Sequence, residues 1–120
     1  MTDFEAYRQK RHEGNDKVMN SDNLNIKRFF SLDSAAYRDG ALPAETKELL
    51  GLVASMVLRC NDCIDYHLEQ CVGAGHGRKE LEEAMNVALL VGGSIVIPHM
   101  RHAFGSLDFL LAEKQAGEGS

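Results

Sequence analysis

A chain of 120 residues, 44% hydrophobic and 26% charged, has the size and composition of one globular domain with one modest core. Its formal net charge of -5, with basic residues interleaved among acids, argues against the clustered basic face that phosphate backbones require, so no nucleic-acid partner is expected. The longest apolar stretch, residues 87–98, is interrupted by Gly92, Gly93 and Ser94 and falls short of the roughly 20 residues a membrane span needs, so no membrane partner is expected either.

The first residues, Met1 to Glu13, carry Asp3, Glu5, Arg8, Lys10 and Arg11 without an apolar stretch. Neither a signal peptide nor a transit sequence is visible, and a cytoplasmic location is the expectation. Asp3 to Met19 reads as a polar helix with Phe4, Tyr7 and Val18 as its few apolar positions and Gly14-Asn15 as a candidate break. Asn25 to Arg38 places Ile26, Phe29, Phe30, Leu32, Ala36 and Tyr37 at mixed three and four spacings, which predicts an amphipathic helix ending at Gly40. Proline suits a first helical position and acids a first turn, so Pro43 and Glu45 open a helix from about Pro43 to Leu58.

The next segment, Cys60 to Val72, stops at the glycines of Gly73-Ala74-Gly75-His76-Gly77. Arg78 to Val91 repeats Leu81, Ala84, Met85, Ala88 and Leu89 at helical spacing. A further apolar helix runs from near Pro98, which starts or kinks it, towards Leu111. Ser94 to Ile97 alone could pass for a short strand, and the polar stretch Gln115 to Ser120 reads as a fraying tail. The fold class predicted is all-α.

Chemistry concentrates in Cys60-Asn61-Asp62-Cys63-Ile64-Asp65-Tyr66-His67. On a helix, Cys60 and Cys63 lie near one face and His67 falls one turn beyond Cys63. The thiols could close a disulfide across one turn, and the imidazole could hold Cys63 as the thiolate that attacks a peroxide or a disulfide. The positive helix start and Arg59 favour anionic sulfur, whereas Asp62 and Asp65 would oppose it if they faced the thiols. The bland alternative is a pair of buried cysteines beside a core histidine, but a CxxC pair in a chain without export signals favours redox chemistry. Zinc held by Cys60, Cys63, His67 and Cys71 conflicts with helix geometry. The axis rises about 16 Å from Cys60 to Cys71, while tetrahedral zinc needs ligands within about 2.3 Å of one point. Cys71 is expected as an apolar filler. His99 and His102 could frame an anion or a metal if a carboxylate joined them, with surface or interface packing the plainer reading, and His12 and His76 carry no mark of function.

Glu48, eleven residues, then Cys60, Cys63 and His67, with the lead-in from Gly40 to Leu49, resembles the carboxymuconolactone decarboxylase family and its alkylhydroperoxidase D-like branch. The resemblance extends through the Gly75 turn and the helix from Glu80 to Val91, about two thirds of the chain. It implies a single compact helical domain over residues 26–114 with a helical hairpin carrying CxxCxxxH, and leaves outside it the N-terminal helical extension over 1–25 and the tail over 115–120. By the same resemblance Cys63 attacks a peroxide, Cys60 resolves the sulfenic acid, and His67 with Glu48 relays the proton. The implied substrate is a small-molecule peroxide or disulfide, with an external thiol as electron donor and no cofactor. Asp62 stands just before the second cysteine, where the peroxidase branch commonly carries a histidine, a departure that bears on peroxide turnover. A lactone decarboxylase of the same family and a non-enzymatic redox-sensing oligomer are the alternatives. Homo-oligomers, trimers or hexamers, are expected, with Leu107, Leu110 and Leu111 on a shared face.

Overall fold

The computed structural model describes residues 1–118, built of six α-helices and one 3₁₀ turn, with no strand among the described residues. The chain is all-α, and it divides into two compact units, Met1–Ala44 and Glu45–Ser120.

The first unit holds α1 (Asp3–Met19) and α2 (Leu24–Ala36). Thr2 caps α1 by accepting the Glu5 N–H at 3.1 Å, and Asn23 caps α2 by accepting the Ile26 N–H at 3.2 Å. The expected break at Gly14-Asn15 does not occur. A helix-interior glycine costs only about 1 kcal/mol, and α1 runs unbroken to Met19, where Asn20 closes it. Phe4 is the buried residue of α1, edged by Tyr7 and stacked under the Arg8 guanidinium at 4.9 Å, while α2 buries none.

The second unit carries α3 (Ala44–Val57) from Glu45 onward, α4 (Asn61–Gly73), α5 (Arg78–Gly92), the 3₁₀ turn Ser94–Val96 and α6 (Ile97–Glu118). Each helix contributes a stripe at three and four spacing to one core. Leu52 and Met56, Ile64, Leu68 and Cys71, Leu81, Met85 and Ala88, then Ala103 and Leu107 are wholly buried. Each large aliphatic among them contributes about 1.5–3 kcal/mol of transfer free energy. Arg78 of α5 pairs with Asp108 of α6, and Lys114 Nζ donates to the Val72 carbonyl at 3.2 Å, tying α6 to the end of α4.

Three further expectations change. Ser94 to Ile97 is not a strand: Val96 N–H donates to the Gly93 carbonyl at 3.0 Å, closing a local 3₁₀ turn that leads into α6 with Pro98 in the first turn, where its missing N–H costs nothing. Leu107 and Leu110 are buried within the unit, so the apolar side chains left exposed are others, chiefly Leu58, Leu90, Val91 and Ile95. The stretch read as a tail is helical from Gln115 to Glu118, and residues 119 and 120 lie outside the described residues.

Candidate active site

Backbone geometry delivers the cysteines. At the end of α3 the Cys60 N–H donates to the Ser55 carbonyl at 3.1 Å and the Arg59 N–H to the Met56 carbonyl at 3.0 Å, the paired bonds of a Schellman motif. That motif requires a left-handed residue at its corner. Arg59 occupies it with φ of 60°, where a side chain costs about 1–2 kcal/mol relative to glycine. Cys60 is therefore the last bonded residue of one helix and the cap of the next, with its Sγ accepting the Cys63 N–H at 3.3 Å. An amide at a helix N-terminus is a contact that suits anionic sulfur. Cys63 is exposed, Cys60 is half-buried, and all three cysteines stand as thiols.

One turn below Cys63, His67 turns inward. Its Nδ1 lies 2.9 Å from Glu48 Oε2, with both side chains nearly buried at 11% and 12% exposure. With Glu48 as a carboxylate, which only accepts, Nδ1 carries the proton and, in the neutral ring, Nε2 is the proton-accepting nitrogen. The structure thus brings Glu48 of α3 to His67 of α4 across nineteen positions of chain. Gly51 makes the approach possible. A Cβ there would lie 2.5 Å from His67 Cε1, 2.7 Å from Nδ1 and 2.8 Å from Nε2, so the ring rests directly on the α3 backbone.

Cys71 lies outside this arrangement. It is wholly buried, and its thiol is pushed up to about 12, first by burial and then by the nearby Glu48 charge. α4 is unbroken from Asn61 to Gly73, which keeps Cys60 and Cys71 apart along its axis. Among the described residues no three histidine, cysteine or acidic side chains converge as metal ligands.

Asp65, weighed as a charge opposing the thiols, faces α6 instead. It is 4% exposed and accepts from His102 Nε2 at 2.9 and 3.0 Å and from Ser106 Oγ at 2.5 Å. His99 Nδ1 donates to Asn61 Oδ1 at 2.8 Å. A carboxylate, Asp65, thus joins His102, and the two histidines tie α6 to the first two turns of α4. The sequence held a signal for this. Asn61 and Asp65 are four apart, and His99, His102 and Ser106 follow three-four spacing, so two polar helix stripes were available to match.

The model of the "Carboxymuconolactone decarboxylase family" matches residues 26–105. A crystal structure of a family member from Thermotoga maritima, for which an involvement in antioxidative response has been raised, is 55% identical and superposes with a TM-score of 0.88, covering 94% of this chain and 96% of that one. A family member from Legionella pneumophila is 26% identical with a TM-score of 0.83, covering 89% and 96%. An uncharacterised protein of Cupriavidus necator is 30% identical over 84 residues, 70% of this chain and 74% of that protein.

Proposed function

We propose, from the premise that the chain belongs to the carboxymuconolactone decarboxylase family, that it is a thiol-dependent oxidoreductase of the alkylhydroperoxidase D-like branch. Its Cys60–Cys63 pair reduces a hydroperoxide or a disulfide. The observation that carries the reading is two thiols at the start of α4, one capping the helix and one exposed, standing one turn above a buried His67–Glu48 pair. The antioxidative involvement raised for the Thermotoga maritima relative points the same way.

In this reading the exposed Cys63, as thiolate, attacks the outer oxygen of a hydroperoxide. The O–O bond breaks, the leaving alkoxide takes a proton relayed by His67, and Cys63 becomes a sulfenic acid. Glu48 holds His67 in the tautomer that relay needs. Cys60, whose sulfur already accepts an amide hydrogen bond, attacks the sulfenic sulfur and expels hydroxide, which leaves as water, and the disulfide forms. Two electrons and two protons from an external dithiol restore the pair. The reduced Cys60–Cys63 pair reduces a small disulfide by exchange through a mixed disulfide and is itself left as the disulfide.

The test is brief peroxide treatment of reduced protein in the presence of a sulfenic-acid trap, with the modified residue mapped by mass spectrometry. Cys60→Ser should accumulate the adduct on Cys63. An adduct found on Cys60 in Cys63→Ser, and none on Cys63 in Cys60→Ser, reverses the two roles. Absence of any adduct, with lactone turnover that survives thiol alkylation, would favour the decarboxylase instead.

A further inference from the structure

His76 lies between α4 and α5, outside the thiol site, and its ring makes two hydrogen bonds of one polarity. Nε2 is 2.9 Å from the Glu45 carbonyl oxygen in the first turn of α3, and Nδ1 is 3.1 Å from Glu80 Oε2 in the first turn of α5. A carbonyl oxygen and a carboxylate oxygen both accept and neither donates. Only an imidazolium carries a proton on both nitrogens, so a neutral ring must surrender one of the two bonds.

The backbone aims the ring at this position. Gly75, with φ of 102°, forms the left-handed corner after α4, and the His76 N–H donates to the Cys71 carbonyl at 3.1 Å. The side chain is 11% exposed. The Glu80 carboxylate is itself pinned, since its Oε1 takes the Gly77 N–H at 3.1 Å. Glu45 stands three residues before Glu48, the carboxylate that orients His67.

We infer that His76 is a positioning residue which, as an imidazolium, fastens the first turn of α3 to the start of α5 and so fixes Glu48 against His67. The charged groups facing it are Glu80 from α5 and Glu45 from α3, both acids and both favouring the cation. Burial lowers the His76 pKa, but the Glu45 carbonyl and Glu80 carboxylate more than offset it, and the net direction is upward from 6.5. Glu80 moves downward from 4.5, first through the Gly77 amide and then through His76. A raised folded-state pKa means that the clasp is complete below an unfolded value of 6.5 and is lost as pH rises through the folded value. The acid limit is set by Glu80, whose contribution is present above its unfolded value and is lost as pH falls through the depressed one.

The functional meaning rests on the proposed role of the Glu48–His67 pair, but the test needs no substrate, so the two can fail separately. Nitrogen-edited imidazole spectra of the whole protein would be followed from about pH 5 to about pH 9 for wild type and His76→Gln. His76 should show both ring nitrogens protonated at neutral pH and a midpoint above the ordinary imidazole value. The His67 ring signals and the Glu48 backbone amide should inflect at that same midpoint and lose the inflection in His76→Gln, whose amide can donate to the Glu45 carbonyl but carries no titrating charge. A singly protonated His76 ring at neutral pH, or a His67 inflection that survives in His76→Gln, overturns the inference. Should His76→Gln fail to fold, the wild-type titration decides alone, because the His67 and Glu48 signals must then follow the His76 midpoint or contradict it.

Discussion

Gly51 contributes to the site by having no side chain. Alanine in its place would gain about 0.5–1 kcal/mol of helix propensity. It would also drive a methyl carbon to within 2.5 Å of the His67 ring. Overpacking of that kind costs about 1–3 kcal/mol, so Gly51→Ala should lower stability by about 1 kcal/mol against the propensity trend, read from the denaturant midpoint. It should also slow thiol turnover by about 10²-fold, because the imidazole it displaces is the group proposed to relay the proton. For the same reason His67→Ala should cost about 10² to 10⁴-fold in turnover with the fold retained by circular dichroism, and Glu48→Ala less, since it removes only the orienting bond. Equal losses in the two variants would mean that Glu48 acts directly. Spacing alone made the Cys63–His67 relation legible, but it was silent on Glu48, which approaches from another helix and was named only through the family resemblance. Gly51 left no trace in the sequence, because what matters there is a missing atom.

The hand-over from α3 to α4 is the element-scale feature that sets the cysteines in place. Arg59 holds a left-handed corner that glycine would occupy without strain. Set against the extra backbone entropy of glycine, Arg59→Gly should raise stability by about 0.5–1 kcal/mol, shown as a higher midpoint at unchanged slope in urea. A lower midpoint would mean that the guanidinium makes contacts worth more than the strain. Helix positions were largely readable, because the elements of the second unit repeat apolar residues at three and four spacing and α4 and α5 end on glycines. What escaped was chemistry between elements. Gly14 reads locally as a stop, yet nothing competes for the α1 backbone bonds it would break. Ser94 to Ile97 is β-branched in composition but has no neighbour to pair with. Asp65 and His102 look like surface charges along one dimension, and only the packing of α4 on α6 turns them towards each other.

At the scale of the whole molecule, the second unit leaves Leu58, Leu90, Val91 and Ile95 exposed. These exposed aliphatic side chains are the candidate contacts for the homo-oligomer expected from the sequence. Reduced protein at micromolar concentration should sediment as a species several times the 13.3 kDa chain, and Val91→Asp should shift it towards the monomer. A wild type that sediments at the chain mass refutes assembly. Leu107→Asp would answer a different question, because that side chain is wholly buried in the unit's own core. The most direct measurement of the central claim is stoichiometric: reduced protein is mixed with an organic hydroperoxide, and thiols lost are counted against alcohol formed. Two thiols should be lost for each alcohol produced, confined to Cys60 and Cys63, with Cys71 still alkylatable after unfolding and the pair regenerated by an external dithiol. Peroxide consumption without loss of those two thiols, or loss of Cys71 in their place, would contradict the claim.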